Sequence, residues 1–130
     1  MANSNLKLGV VTARYLASDG VSDASHTLAT SSSLPIGAAV TRVTLIARGA
    51  VAASGSATMT ITAGGKNIST AVGKAKLAGA GYIYTENSDF QADTVTSSAA
   101  AIGVTLASTS GGLTGGTADV DIIVEYALLG

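Results

Sequence analysis

The sequence contains no cysteine and no tryptophan, and it has a single phenylalanine and a single proline among 130 residues. Without cysteine, a disulfide framework and any thiolate metal site are excluded. Charged residues make up only 12% of the chain and leave a net charge of −1, so nothing favours binding to nucleic acid or to an anionic membrane surface. No run approaches the length of about 18 apolar residues that a membrane span requires. We therefore expect neither a nucleic acid nor a membrane as a partner.

What the chain does contain is an excess of small residues. The hydrophobic fraction of 47% is inflated by alanine, so the core must be built from valine, isoleucine and leucine. A core this thin gains stability when the chain associates with copies of itself or with another protein. The length fits one domain. The chain begins without the basic segment and apolar run of a secretory signal, so we expect synthesis in a cytoplasm.

Apolar and polar residues alternate with a period of two in much of the chain, which is typical of β-strands. The pattern is clearest in residues 118–128, where Val120, Ile122 and Val124 share one face while Asp121 and Glu125 share the other. Such a segment is typical of an antiparallel strand with one buried side and one wet side. Further strands are predicted at residues 6–16, 25–29, 39–48, 57–63, 66–72, 81–86 and 101–107.

Turn residues separate these strands. The only proline lies in a predicted turn at residues 34–37, and the pair Gly64-Gly65 indicates a hairpin. Residues 70–79 have helical potential, which their glycines limit to a turn or two. About seven or eight short strands predict an all-β fold, an antiparallel β-sandwich or jelly roll. We assign residues 21–130 to a single β-sandwich domain and residues 1–20 to an extended N-terminal arm or edge strand.

No residue pattern indicates catalysis. His26 is the sole histidine, which excludes a histidine-cluster metal site and favours an exposed polar residue. No Gly-x-Ser-x-Gly nucleophile elbow occurs. The glycine-rich stretches at residues 79–81 and 111–116 lack the further residues of a dinucleotide or phosphate loop, so they indicate turns. We therefore expect no enzyme activity, no catalytic residue, no cofactor and no metal.

The acidic loop at residues 86–93 is the segment with the most potential for binding a ligand. Its side-chain oxygens could hold calcium, but their spacing departs from the calcium-loop pattern and a solvated loop is favoured. With Tyr82 and Tyr84, the same loop is the candidate for contact with a glycan. Asp119 and Asp121 lie on one face of a predicted strand, which indicates a wet surface rather than an acid–base pair.

Three arginines are candidates for contact with a partner protein. Arg42 and Arg48 lie on the same face of one predicted strand, about 20 Å apart at the usual rise per residue. Arg14 joins them from the N-terminal stretch. Three such residues are too few for nucleic-acid binding, so a protein partner is the better interpretation.

Several stretches are similar to a known class of proteins. Residues 34–45, Leu-Pro-Ile-Gly-Ala-Ala-Val-Thr-Arg-Val-Thr-Leu, resemble the segment that leads into a strand in small virion proteins of tailed bacteriophages. Residues 54–61 and 116–126 fit the same type. The resemblance implies a jelly roll that sits on the capsid as a decoration or cement protein, commonly as a homotrimer, with the major capsid protein as its partner. Other proteins of this kind belong to head fibres or tails.

These expectations lead to one hypothesis and one alternative. The hypothesis is a non-catalytic structural protein of the virion that binds the outside of the capsid and stabilises it through surface area and avidity. The alternative is a tail, baseplate or head-fibre module that recognises a host surface glycan. Under the first hypothesis the N-terminal stretch adds as a strand to a neighbouring subunit. The residues expected to contact a partner protein are Leu6, Leu8, Val10, Arg14, Tyr15, Arg42 and Arg48.

Overall fold

The computed structural model describes residues 6–16, 25–30, 33–49, 58–64, 66–77, 79–87, 102–107 and 119–129. These residues form ten β-strands and one short 3-10 helix, Lys74–Leu77. In chain order the strands are β1 (Leu6–Tyr15), β2 (Ser25–Thr27), β3 (Ala29–Thr30), β4 (Ala39–Ala47), β5 (Thr58–Ala63), β6 (Lys66–Asn67), β7 (Val72–Gly73), β8 (Ile83–Asn87), β9 (Ile102–Ala107) and β10 (Val120–Leu129).

The strands form two antiparallel sheets. Sheet A has the order β3-β1-β10-β4-β8, and sheet B has the order β2-β9-β5-β6, with β7 also paired to β5. One cluster of buried side chains joins the two sheets, since it contains Val43 and Ile122 from sheet A and Ile61 and Val104 from sheet B. The sheets therefore pack face to face around a shared core. The predicted all-β antiparallel sandwich is confirmed.

The core consists almost wholly of aliphatic side chains, as the composition predicts. Burying one valine, leucine, isoleucine or methionine contributes about 1.5–3 kcal/mol, so a core without tryptophan depends on many such residues. Two tyrosines, Tyr84 and Tyr126, pack against the core while remaining partly exposed. The largest fully buried side chains include Tyr15, Leu34, Leu45, Met59, Ile61, Leu77, Ile102 and Ile122.

Strand β10 lies at the centre of sheet A, between β1 and β4. It pairs with β1 without interruption, from Leu6 opposite Leu129 to Tyr15 opposite Val120. The side chains of Val120, Ile122 and Val124 are fully buried, at 0% exposure. The intervening residues remain partly exposed. The two faces predicted for residues 118–128 are therefore observed from Val120 to Glu125, whereas Tyr126, Ala127 and Leu128 are all partly exposed.

Strand β4 changes its alternation once. Its odd-numbered residues from 43 to 47 are buried as predicted, but Val40 is buried as well, which strict alternation does not allow. The register with β10 gives the cause, since Glu125 pairs with Arg42 and the next residue, Tyr126, pairs with Val40. Thr41 is thus the extra residue of a β-bulge, which shifts the alternation by one. The bulge turns Val40 into the core and leaves Thr41 and Arg42 both exposed.

The N-terminal segment is a strand of the domain. Strand β1 pairs with β10 along its full length on one side, whereas β3 pairs only with Ala13 and Arg14 on the other side. No described strand pairs with residues 6–12 on that second side. The described part of residues 1–20 is therefore a strand of sheet A between β10 and the short strand β3. Residues 1–5 and 17–20 lie outside the described residues.

Two of the predicted strands are each divided in two, which raises the number of strands above the prediction. Residues 25–29 contribute β2 to sheet B and lead into β3 of sheet A, with Leu28 buried between them. Residues 66–72 contain only β6 and the start of β7. Between them, the Ser69 hydroxyl accepts a hydrogen bond from the main-chain N–H of Ile61 at 2.8 Å. That hydroxyl takes the place of a main-chain acceptor and interrupts the predicted return strand.

Candidate protein-contact face

The outer face of sheet A is the surface whose side chains point away from the core on β1, β10, β4 and β8. Because successive residues of a strand lie on opposite faces, the strand register defines its members. Arg48, which follows the end of β4, extends the same face. Three rows of directly paired residues cross the four strands: Arg14, Asp121, Ile46 and Ile83; Thr12, Ile123, Thr44 and Thr85; and Val10, Glu125, Arg42 and Asn87.

On this face Asp121 binds two arginines at once. Arg14 lies opposite it on β1 and donates a hydrogen bond from Nε to Oδ1 at 2.8 Å. Arg48 donates from Nε to Oδ2 at 2.7 Å. The Asp121 side chain is 25% exposed, whereas the side chains of Arg14 and Arg48 are 45% and 51% exposed. The three residues, which we call the Arg14–Asp121–Arg48 cluster, are distant in sequence and meet only because sheet A places their strands side by side.

The two arginines determine the charge state of Asp121. Partial burial of the carboxyl group opposes its ionisation and by itself raises its pKa. The hydrogen bonds and positive charges of Arg14 and Arg48 act in the other direction and together outweigh the burial, so the pKa of Asp121 lies below its usual value of 3.8. The cluster therefore holds two positive charges and one negative charge at neutral pH.

The third predicted arginine is held less tightly. Arg42 lies opposite Glu125, and its Nη1 is 3.7 Å from Oε2 of that carboxylate. The neighbouring Thr41 hydroxyl donates a hydrogen bond to the main-chain carbonyl of Glu125 at 3.2 Å, which anchors the bulge. This second site is a pair of one cation with one anion. Both side chains are more than a third exposed, at 51% and 38%, so the pair contributes little to stability.

An open depression of about 500 Å³ lies beside the Arg14–Asp121–Arg48 cluster. Arg14 and Asp121 line its polar part, while Leu16, Ile46 and Ile123 line its apolar part. Arginine is one of the residues enriched in protein–protein interfaces, and here it lies beside aliphatic side chains on an open surface.

Large apolar side chains are exposed at both ends of the same face. On β1, Leu8 is 78% exposed and Val10 is 55% exposed. On β8, the opposite edge strand of sheet A, Ile83 is 66% exposed. Leu8 and Val10 also lie on the part of β1 that β3 does not cover. Apolar side chains on an incompletely paired strand favour association with another chain.

Tyr15 does not belong to this face. It is 1% exposed and lies in the core with Val11 and Ala13, the other inward-pointing residues of β1. The prediction that Tyr15 contacts a partner protein is therefore wrong. A free arm has no inner side, but a strand of the sandwich has one, and Tyr15 falls on it. The predicted contact residue Leu6 begins β1, and its side chain lies outside the described residues.

The segment predicted to contact a ligand is only partly described. The Tyr84 hydroxyl donates a hydrogen bond to Glu86 Oε2 at 3.0 Å. The main-chain N–H and the hydroxyl of Thr70 donate to the two oxygens of the same carboxylate at 2.6 and 2.7 Å. Glu86 thus joins β8 to the loop before β7, and the tyrosine is packed inward. Tyr82 is 51% exposed, and residues 88–93 lie outside the described residues.

The remaining residues singled out by the sequence are only partly described. The main chain of His26 lies in β2, opposite Val104, and its side chain is outside the described residues. Within the described ranges, no group of three histidine or acidic side chains is arranged to hold a metal ion. No helix in the described part of the chain is both long and apolar enough to cross a membrane.

Three isoleucines point outward on this face, and sequence reasoning did not predict them as contact residues. Ile83 is exposed and lies between Tyr82 and Tyr84 in the predicted strand 81–86, whereas Ile46 and Ile123 are partly exposed. An apolar residue on an otherwise polar strand face is the signal that could have found them.

The fold occurs in virus capsid structures. No protein-family model matches the chain, and no curated protein sequence matches it. A chain of the cyanophage Pam1 capsid asymmetric unit has a TM-score of 0.62 at 22% identity, and the alignment covers 96% of this chain and 86% of that chain. A chain of the acid-stable capsid of Helicobacter pylori bacteriophage KHP30 has a TM-score of 0.55 at 15% identity, covering 93% and 87%.

A third structure extends the likeness beyond bacteriophages. A chain of the infectious bursal disease virus subviral particle has a TM-score of 0.52 at 10% identity, and the alignment covers all of this chain but 35% of that one. The fold therefore corresponds to one part of a larger viral protein there. The predicted resemblance to bacteriophage virion proteins is confirmed as a resemblance of fold.

Proposed function

We propose that this chain is a structural protein of a bacteriophage virion that binds the outside of the capsid and stabilises the shell, without catalysis. Its partner is the major capsid protein, and its free form is a homotrimer made in the host cytoplasm. The observation that carries the proposal is the outer face of sheet A, where exposed aliphatic side chains surround three arginines. Such a face can form both apolar and charged contacts with the surface of another protein. Its depression is open, whereas a pocket for a small molecule is usually enclosed.

Similarity of fold and of size supports the same proposal. The alignments with the two bacteriophage capsid chains cover most of both partners, at 86% and 87% of those chains. Most of each of those chains therefore consists of a domain with the same fold as this chain. The chain is a small β-sandwich with few charged residues and a net charge of −1. These properties suit a protein of an assembled shell, because neighbouring subunits then cover much of its surface.

Capsids that lack this protein provide the test. The purified chain is expected to co-sediment with them and to raise the temperature at which they disrupt. Replacing Ile83 with Asp puts a charge on the proposed contact face and is expected to weaken binding at least tenfold. Ile36→Asp is the matched control, because Ile36 has the same exposure of 66% but lies in the turn before β4. Capsids that bind none of the wild-type chain would contradict the proposed function.

The alternative of a glycan-binding tail or fibre module receives less support. Aromatic and acidic side chains must face a sugar together, but Tyr84 and Glu86 are bound to each other. Of the described aromatic and acidic candidates, only Tyr82 is broadly exposed, at 51%. Binding of the purified chain on a glycan array that disappears with Tyr82→Ala would favour this alternative over the capsid.

A further inference from the structure

Sheet A has two edges that no described strand covers. In the order β3-β1-β10-β4-β8, strand β8 is the last member, and β3 covers β1 only at Ala13 and Arg14. We call residues 6–12 the β1 edge and the five residues of β8 the β8 edge. A strand edge presents main-chain N–H and C=O groups that can pair with a further strand.

The directions of the strands allow the two edges to pair between copies of the chain. The pairs β1–β10, β10–β4 and β4–β8 are all antiparallel, so β1 and β8 run in opposite directions. When a second copy lies beside the first in the same orientation, its β8 therefore runs antiparallel to β1 and continues sheet A. Each copy has one edge of each kind, so the contact is heterologous and can close into a ring.

The faces of the strands restrict the register of this contact. Directly opposite residues lie on the same face of a sheet, so outward residues of β8 must meet outward residues of β1. Two registers do this and keep all of β8 opposite residues 6–12. They place Ile83 opposite Val10 or opposite Thr12.

The register with Ile83 opposite Val10 brings exposed apolar side chains together. Ile83 is 66% exposed, Val10 is 55% exposed and Leu8, diagonal to Ile83, is 78% exposed. Apolar cross-strand pairs of this kind stabilise a sheet, because each side chain is removed from water by its neighbour. In the other register Ile83 meets the polar Thr12 instead.

The same register pairs opposite charges on the side that faces sheet B, since it places Glu86 opposite Lys7. Glu86 accepts its printed hydrogen bonds from the uncharged groups of Thr70 and Tyr84. Lys7 is exposed and forms no ion pair with another described side chain. A lysine on an edge disfavours pairing with most strands, but a carboxylate directly opposite favours one partner.

We propose that the β8 edge of one copy adds to the β1 edge of the next, with Ile83 opposite Val10, and that this contact joins the copies of the homotrimer. The inference rests on the proposed function, because it supplies the contact for the homotrimer named there. The contact covers the edges of sheet A and leaves the outward side chains of β10 and β4 available to the capsid.

Disulfide trapping tests the contact, because the chain contains no cysteine of its own. Within one copy β1 and β8 are separated by two strands, about 14 Å, whereas a disulfide needs Cα atoms within about 7 Å. Positions 8 and 85 are opposite each other in the proposed register. Oxidised L8C/T85C is therefore expected to run mostly as covalent dimers and trimers on a non-reducing gel.

The matched control is I36C/T85C, whose first cysteine replaces an equally accessible residue in the turn before β4. It is expected to stay mostly monomeric. Equal cross-linking in both pairs, or none in either, would overturn the proposal. L8C alone cross-linking as fast as L8C/T85C would assign the contact to two β1 edges, and faster cross-linking of V10C/T85C would assign the other register.

A charge substitution provides a second measurement on the full chain. Lys7→Glu places two carboxylates opposite each other and is expected to weaken self-association at least threefold by sedimentation equilibrium. Lys66→Glu makes the same change of charge on β6 of sheet B and is expected to associate like the wild type. Equal effects of the two variants would refute the pairing of Lys7 with Glu86. Far-ultraviolet circular dichroism and thermal unfolding check that each variant is folded.

The cross-linking uses the free chain, so this inference and the proposed function can fail separately. If capsids bind none of the wild-type chain but L8C/T85C gives covalent trimers, the proposed function fails and the edge contact stands. If capsids bind the wild type but L8C/T85C does not cross-link, the proposed function stands and the edge contact is wrong. Ile83 belongs to the outer face as well as to the β8 edge, so these tests leave it unchanged.

Discussion

At the scale of single residues, Asp121 connects two arginines on the outer face of sheet A. Its carboxylate is shared by Arg14 of β1 and by Arg48, which follows β4, at 2.8 and 2.7 Å. Removing it leaves two positive charges near each other on the same face. Exposed ion pairs contribute little individually, but a carboxylate with two partners and 25% exposure forms a small network.

The pH dependence of stability follows from this network. Because the pKa of folded Asp121 lies below its usual value of 3.8, the stabilisation is complete above that value and is lost as the pH falls through the folded pKa. We expect Asp121→Asn to lower the free energy of unfolding by about 1 kcal/mol at pH 7. The difference from wild type should shrink below about pH 4, measured by urea denaturation at several pH values. A difference that is the same at pH 7 and pH 2.5 would contradict this explanation.

Gly9 is a second residue whose identity the structure explains. It lies opposite Tyr126, and a Cβ at position 9 would overlap the tyrosine ring. We expect Gly9→Ala to destabilise the protein by about 1–3 kcal/mol, because the ring must leave its contact with the core. In a Tyr126→Leu background, which lacks the overlapping ring atoms, the same change should cost much less. A double-mutant cycle by thermal denaturation measures the coupling, and equal costs in both backgrounds would show that the ring is not the cause.

At the scale of elements, the two faces of β10 are expected to differ in how well they tolerate a charged substitution. Val124 is fully buried at the centre of sheet A, whereas its neighbour Ile123 is partly exposed on the outer face. Val124→Asp should cost more than about 4 kcal/mol and unfold the domain, because it buries an unpaired charge. Ile123→Asp carries the same charge on the same strand and should stay folded. Circular dichroism and denaturation compare them, and a cooperative, folded Val124→Asp would refute the assignment of β10 as a core strand.

Alternation of apolar and polar residues predicts the faces of some strands but not the irregularities within them. Alternation correctly predicted β10 and the second half of β4, since each strand has one buried face and one wet face. It did not predict the bulge at Thr41, because an extra residue is visible only when the partner strand is known. For the same reason, the sequence did not indicate that Arg42 and Glu125 would be paired.

At the scale of the whole molecule, the exposed edge of sheet A favours association. Leu8 and Val10 are exposed on a strand that β3 covers only at Ala13 and Arg14. We expect native mass spectrometry of the chain to give the mass of three copies of 12.6 kDa, and Leu8→Asp to shift the population to monomer. Ile36→Asp should remain trimeric, since it adds the same charge in the turn before β4 and not on β1. A wild-type chain that is monomeric at every concentration would contradict the proposed trimer.

The sequence by itself determined the class of this fold and the composition of its core. Alternating apolar and polar residues, turn glycines and scarce charge predict an all-β sandwich with an aliphatic interior. The sequence can give this much because alternation and turn residues are local properties of the chain. The tertiary structure alone decided that residues 6–15 belong to sheet A, which moved Tyr15 into the core. It alone brought Arg14, Asp121 and Arg48 together, because contacts between strands far apart in sequence depend on sheet order and register, which alternation leaves open.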